Sequence, residues 1–147
     1  MKKLRPIQYL ALITVLIIGN SVQASDIRQE VKLPEMMRNH MLSNMRDHLH
    51  ALQEITYYLA SQQYDKAADV AENRLGMSSL NSHGASHMGK FMPKEMGVIG
   101  TSMHKAASRF ALAAKDAELE DDMHKAFLAL SEVMEQCVAC HAGYKVQ

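Results

Sequence analysis

Apolar residues recur at intervals of three and four along four segments of the chain, which is the spacing of one face of an amphipathic α-helix. The segments predict a first helix over 34–61, a second over 63–75, a third from about Val98 and a fourth from about residues 118–122. Gly76 supplies a stop after the second helix, and the acidic residues at 118–122 suit the positive end of a helix dipole. The expected core positions are Met37, Met41, Met45, Leu52, Ile55, Leu59, Tyr64, Ala67, Ala71, Leu75, Ile99, Met103, Ala106, Phe110, Ala113, Met123, Phe127, Leu130, Met134, Cys137 and His141.

The mostly short connections between these helices favour an all-α fold, an antiparallel four-helix bundle over residues 34–147. No segment shows a convincing alternation of apolar and polar residues with the period of two that a half-buried strand would have. Residues 76–97, GMSSLNSHGASHMGKFMPKEMG, form the one long connection, and they are rich in glycine and methionine. A connection of that length is usually functional or poorly ordered.

The first 24 residues have the composition of a secretory signal peptide. Three basic residues within the first five precede the apolar run YLALITVLII, and the small-residue context at 22–24 predicts cleavage after Ala24. The run is shorter than the roughly 20 apolar residues that span a bilayer, although an uncleaved anchor is the alternative. We therefore expect an exported, periplasmic protein in which residues 25–33 form a polar lead segment and the mature chain has no membrane span.

Removal of the signal peptide changes the charge balance. The full chain has 16 basic and 16 acidic residues, and the loss of three basic residues leaves 13 against 16, a net charge of −3 with neutral histidines. Such a chain offers no basic stripe that could displace counterions from phosphates, which argues against a nucleic-acid partner. With five tyrosines, three phenylalanines and no tryptophan, the core must be aliphatic and rich in methionine, so a bound cofactor would add apolar contact area that the chain lacks.

The only two cysteines lie three residues apart in EQCVACHAGYK, and a histidine follows the second one directly. On a helix, Cys137, Cys140 and His141 fall within an arc of about 100°. Such a cluster could serve dithiol redox exchange, metal binding or covalent haem attachment. In haem attachment each thiol adds to a vinyl group of the porphyrin and the histidine reaches the iron; the sequence C-x-x-C-H is the attachment signal.

The other chemistries agree less well with the sequence. A dithiol oxidoreductase normally has its cysteines at a helix N-terminus, where the thiol pKa falls, whereas these lie near a C-terminus. A structural zinc site normally needs four ligands, and this cluster offers three. A disulfide between residues three apart would close a very small loop and stabilise little. Haem attachment is therefore the leading interpretation, and export agrees with it because such attachment takes place after translocation.

The C-terminal CVACHAGYK resembles the C-x-x-C-H-x-x-Y-(K/R) ending of the cytochrome c′ family, whose members are four-helix bundles with the haem site in the last helix. The resemblance covers about residues 34–147, through four helices in order and an opening proline. It implies one covalent haem c bound through Cys137 and Cys140, with His141 as the proximal iron ligand. Lys145 stands where relatives commonly have a basic residue beside that histidine. Many relatives form homodimers, so a homodimer is an open alternative to a monomer.

Within that family the distal residue, supplied by the first helix, decides the function. An apolar residue leaves a five-coordinate iron that binds small gases such as nitric oxide, whereas a methionine gives a low-spin electron carrier. Alignment of the opening prolines places Met45 at this position, and alignment of Arg38 with the family's arginine places Leu42 there. Met41 and Met45 lie near the centre of the apolar arc, which favours methionine, although methionines at this spacing are more often core filler. Met45 is the expected distal ligand and Met41 the second choice, with an open site as the alternative.

These residues imply an electron-transfer cytochrome that works with redox partner proteins, the alternative being a gas-binding cytochrome c′. A third interpretation is a haem-free protein that binds copper through His83 and His87 with Met88, Met92 and Met96, because imidazole and thioether ligands suit copper. The simpler explanation is that this loop packs its methionines over the end of the bundle. No paired carboxylates, Ser/His array or phosphate-binding glycine loop indicates an enzyme, so no catalytic residue is expected.

Two further sets of residues are noted without a committed role. Arg38 and Arg46 could reach a haem propionate. The remaining histidines are expected to be solvated on mostly polar faces: His40, His48, His50, His104 and His124.

Overall fold

The structure, a computed structural model, describes residues 25–120 and 122–147, and 75% of these residues are helical. The predicted signal peptide lies outside the described residues. Among the helices that are described, none is both long and apolar enough to cross a membrane. The elements in chain order are β1 Gln29–Val31, α1 Glu35–Ala60, α2 Tyr64–Arg74, a 3-10 turn Met77–Ser79, α3 Ala85–Met88, α4 Lys94–Glu120, α5 Met123–Gly143 and β2 Tyr144–Val146.

Prolines start the two longest helices. Pro34 is the N-cap of α1, and its carbonyl accepts a hydrogen bond from the backbone N–H of Arg38 at 2.9 Å. Pro93 occupies the same place before α4, where its carbonyl accepts from Gly97 at 3.0 Å. Proline's missing N–H costs nothing at a helix start, where no intrahelical acceptor exists. The prediction that this helix begins near Val98 is therefore wrong by one turn, because the glycine at 97 was taken as part of the loop.

Tight turns join α1 to α2 and end α2. Gln62, at φ +56°, lies in the turn between α1 and α2. After α2, the backbone N–H of Gly76 donates to the Ala71 carbonyl at 2.7 Å, and a Cβ at Gly76 would lie 2.8 Å from the Cα of Glu72. Only glycine fits that close approach, so the predicted stop after the second helix is confirmed.

The four long helices pack in a chain of neighbours: α1 on α2, α2 on α4, and α4 on α5, whereas α1 and α5 barely touch. This packing surrounds a main core in which Ile55, Leu59 and Phe110 are fully buried. The predicted core positions Tyr64, Ala67, Ala71 and Leu75 of the second helix are all buried, as are Met103, Ala106 and Phe110 of the third.

The buried face of α5 agrees with the predicted one at Leu130 but differs from it at Phe127 and Met134. Ala126, Leu130 and Val133 are buried, whereas Phe127 is 47% and Met134 44% exposed. Both stripes follow the three-four spacing of a helix, so periodicity alone could not separate them. The stripe of smaller residues faces α4, and the larger apolar side chains remain on the outside.

Two short strands form a parallel pair that the sequence did not predict. Gln29 lies opposite Tyr144 and Val31 opposite Val146. Strands of three residues are too short to show an alternation, and these two lie at opposite ends of the chain. The pair brings the beginning of α1 and the end of α5 to the same end of the molecule. α1 therefore runs away from this end and α5 runs towards it.

A second buried cluster covers this end of the molecule. Met41, Met88 and Met96 are buried there with Val31, and Cys140 packs against them from α5. The long connection is thus folded over the end of α5, as the simpler explanation of its methionines expected. The partly buried members of the cluster are Leu33, Met37, Met92, Cys140, Tyr144 and Val146.

Candidate functional site

The three residues of the C-x-x-C-H motif lie on the last two turns of α5. Cys137 is half-buried against the main core, and its thiol donates to the Val133 carbonyl at 3.5 Å. Cys140 is half-buried against the methionine-rich cluster, and His141 is exposed. Both thiols are free. The motif therefore lies where the two clusters meet the surface.

Burial raises the pKa of both thiols. Desolvation is the main cause for Cys137, and for Cys140 the neighbouring Cys137 adds to the effect of burial. A redox dithiol needs the opposite environment, because its thiolate must be stabilised near neutral pH. The surroundings of these cysteines therefore disfavour dithiol exchange.

The surface next to the motif is apolar on α5. Met134 is 44% and Val138 67% exposed, and both lie within about 60° of His141 around the helix axis. Exposed apolar residues scattered singly are normal, and these two add apolar surface beside the exposed His141.

One flank of α1 is covered by the long connection and the other is not. His40 Nε2 and Asn44 Nδ2 donate to the His83 carbonyl at 2.9 and 3.3 Å. Met45, Leu49 and Arg38 lie about 100–140° around the helix from Asn44, on the other flank. The exposed fraction is 37% for Met45 and 70% for Leu49.

Arg38 has a buried donor without a partner. Its Nε is buried and makes no hydrogen bond with any described residue. An unpaired buried donor is costly, and a guanidinium forms its strongest hydrogen bonds with anionic oxygens. Lys145, the basic residue that the family resemblance places beside the histidine of the motif, has its Nζ 3.3 Å from a carboxylate oxygen of Asp26.

The two methionines considered as distal ligands lie one turn apart in different surroundings. Met41 is 8% exposed and belongs to the cluster that contains Cys140, whereas Met45 is half-exposed on the uncovered flank. The structure thus brings Met41 near one motif cysteine through shared packing. Met45 is 37% exposed and belongs to neither buried cluster.

Three histidines form a cluster that the sequence reasoning missed. The ring centroids of His48 and His83 are 4.8 Å apart, those of His83 and His104 5.3 Å, and those of His48 and His104 6.3 Å. The expectation that His48 and His104 are solvated is wrong, since His104 is 8% exposed and Nε2 of His48 is buried without a partner. His48 is seven residues from both Met41 and Ile55, and this spacing could have indicated its face.

The cluster is electrostatically unusual. Desolvation lowers the pKa of His48 to about 4, with smaller contributions in the same direction from His83 and His104. The ring of His104 is fixed by its Nδ1, which donates to the Leu75 carbonyl at 2.7 Å. Within residues 25–120 and 122–147, no three His, Cys, Asp or Glu side chains are arranged to hold a metal ion.

The predicted copper pair is divided between two environments. His83 joins the histidine cluster, whereas His87 is exposed and lines a shallow groove of about 230 Å³ with Met36, Met37 and Met88. Nδ1 of His87 lies 3.1 Å from the hydroxyl of Ser86. A copper site shared by His83 and His87 would require one of these environments to change.

A scan against protein-family models, a search of curated proteins and a search of solved structures each found no match. The resemblance to the cytochrome c′ family therefore rests on the C-terminal motif and the order of the helices.

Proposed function

We propose that this protein is an exported, periplasmic c-type cytochrome that carries single electrons through one covalent haem c. Cys137 and Cys140 hold the haem by thioether bonds, and His141 is the proximal iron ligand. The observation that carries the proposal is the C-x-x-C-H motif on the last two turns of α5, with both thiols free and half-buried and His141 exposed. A porphyrin would supply the missing apolar contact there.

The helical packing supports this arrangement. We infer that α1, α2, α4 and α5 are the four helices of an antiparallel bundle whose α1–α5 side is completed by the haem. Met134 and Val138 on α5 and Leu49 on α1 are apolar and exposed beside that edge. Their burial by a cofactor would be favourable by about 25 cal/mol for each Å² of apolar surface removed from water.

Arg38 fits a carboxylate of the same cofactor. The buried, unpaired Nε on the uncovered flank of α1 lacks an anionic acceptor, and haem carries two propionates. A charge-assisted hydrogen bond from Arg38 would satisfy this donor and help to orient the ring. This residue was noted in the sequence without a role, and its orphaned donor now supports one.

We assign the distal position to Met45, with Met41 as the second choice. Met45 lies on the uncovered flank and is free to turn towards a bound group, whereas Met41 already fills space in the methionine-rich cluster. When bound, haem iron with His/Met ligation changes between ferric and ferrous states at a raised reduction potential, which suits electron transfer. The protein's own part is to hold both ligands in place and to keep water from the iron.

Absorption spectra of the oxidised and reduced protein test this assignment. We expect a low-spin ferric spectrum with a weak methionine-to-iron band in the far red, and Met45→Ala should abolish that band. Met41→Ala is the matched control, one turn away on the same helix, and it should keep the band. Loss of the band in Met41→Ala alone would move the ligand to Met41. A high-spin ferric spectrum of the unmodified protein at neutral pH would refute methionine ligation and support the gas-binding alternative.

A further inference from the structure

We propose that His48, His83 and His104 form a pH-sensitive latch, which holds residues 76–93 against α1 and α4 at neutral pH and releases them in mild acid. The three rings come from three separate parts of the chain: α1, the long connection and α4. Their centroids lie 4.8–6.3 Å apart, so each ring is in the immediate surroundings of the other two.

His83 is the residue through which the long connection is held. Its ring packs against those of both His48 and His104, and its carbonyl accepts hydrogen bonds from His40 and Asn44. Its Nδ1 lies 3.3 Å from the hydroxyl of Ser79, which is itself buried. The contacts from His48, His40 and Asn44 join the connection to α1, and the contact from His104 joins it to α4.

The charged groups around the cluster do not offset the electrostatic cost of protonating one of its rings. From α1, Asp47 faces His48 and His83, but Arg74 of α2 binds the carboxylate of Asp47 and places its own positive charge nearby. His40 of α1 adds a further repulsive neighbour for a charged His83, and His104 of α4 repels both of the other rings. A proton on one ring therefore meets desolvation and like charge together.

The direction of the pH effect follows from these surroundings. The pKa of His48 is lowered to about 4 and that of His83 is also lowered, in both cases mainly by burial. A histidine whose pKa returns to its ordinary value of about 6.5 on release binds a proton more readily in the open form. Closure is thus fully favoured above about pH 6.5 and is weakened as the pH falls from there towards about 4.

Release of the connection would uncover the end of α5. Met88 and Met92 lie in this segment and pack in the cluster that contains Cys140. The latch itself does not depend on haem, but its consequence rests on the proposed function: in acid, water and small ligands would gain access to the haem edge. The latch would then couple acidity to the exposure of the iron site.

Hydrogen–deuterium exchange of the full haem-loaded protein, read by mass spectrometry at pH 7.5 and pH 5.0, tests the latch. After correction for the intrinsic exchange rate, the equilibrium constant for opening of residues 76–93 should be about 30-fold larger at pH 5.0 than at pH 7.5 from the protonation of His48 alone. The other helices should change much less. His48→Gln and His83→Gln should each remove much of this rise, because they delete a titrating ring from the cluster.

His50→Gln is the matched control, since His50 is exposed two residues away on the same helix. It should retain the full rise. Should His48→Gln fail to fold, the half-buried His83 of the connection provides the second variant. Three results would overturn the latch. The opening of residues 76–93 could be independent of pH, or His50→Gln could reduce its rise at low pH as much as His48→Gln does. Acid could also open all the helices to the same extent. The exchange pattern requires no particular iron ligand, so its failure is distinct from failure of the proposed function.

Discussion

At the scale of single residues, Arg74 of α2 forms ion pairs and hydrogen bonds with α1. Its guanidinium binds the carboxylates of Asp47 and Glu54, the latter at 2.9 Å, and donates to the Asp47 carbonyl at 3.2 Å. The side chain is only 27% exposed, so water screens these interactions less than those of a surface pair. Arg109 and Glu132 form the contrasting pair, with side chains 59% and 49% exposed.

We expect Arg74→Met to lower the free energy of unfolding by about 1–2 kcal/mol, because two carboxylates of α1 lose their partner. Urea denaturation at pH 7 measures this. Arg109→Met should cost less than about 0.5 kcal/mol. Arg74 lowers the pKa of Asp47, so its stabilisation is present above the ordinary aspartate pKa and disappears as the pH falls through the lowered value. Equal losses for the two variants at pH 7 would contradict this account.

Residues with a local signature were predictable, and those that depend on tertiary neighbours were not. Cys137, Cys140 and His141 form a contiguous motif whose shared helix face follows from spacing alone, and the structure places all three on the last turns of α5. The role of His48 depends on His83 and His104, which are distant in sequence. Histidine occurs both in protein interiors and on surfaces, so its residue type does not predict burial. Only the folded structure shows that His48 lies in a buried cluster.

At the scale of elements, α5 carries two apolar stripes and only one of them faces the core. Val133 is 1% exposed and its neighbour Met134 is 44% exposed, although the sequence pattern placed Met134 inside. These adjacent residues allow a direct comparison of the two faces. The proposed haem would give the second stripe a partner.

In a haem-free form with Cys137→Ser and Cys140→Ser, we expect Val133→Ala to lower the free energy of unfolding by about 2 kcal/mol through lost burial and a cavity. Met134→Ala should cost less than about 1 kcal/mol in this form, since its side chain is half-exposed. In the haem-loaded protein the cost of Met134→Ala should increase. Denaturant unfolding of the haem-free parent, its two variants, the haem-loaded protein and its Met134→Ala variant measures these values. A larger loss for Met134→Ala than for Val133→Ala in the haem-free form would show that the face is assigned wrongly.

The four long helices were predictable as elements because each carries a long periodic pattern, although residues 118–120, expected at the start of the fourth helix, end α4 instead. Their observed ranges, such as Glu35–Ala60 and Tyr64–Arg74, agree with the predicted 34–61 and 63–75. The β1–β2 pair was not predictable, because its stability comes from backbone pairing between the two ends of the chain and from Val31 in the second cluster. Such pairing leaves no local pattern.

At the scale of the whole molecule, the long helices pack as three successive pairs, whereas α1 and α5 approach each other mainly through the cluster that contains Met41 and Cys140. Met45, Leu49 and Arg38 lie on the uncovered flank of α1, and one of them has an orphaned buried donor. The sequence could predict these helices, and the proposed haem would add apolar contacts that the polypeptide does not supply.

The most direct test of the central claim is the intact mass of the mature protein, produced in a host that attaches haem to exported proteins. The account predicts the mass of residues 25–147 plus one haem, and a Cys137→Ser/Cys140→Ser variant should show the polypeptide mass alone. A mature wild-type protein that weighs only as much as its amino acids would contradict covalent haem attachment and with it the proposed electron-transfer function.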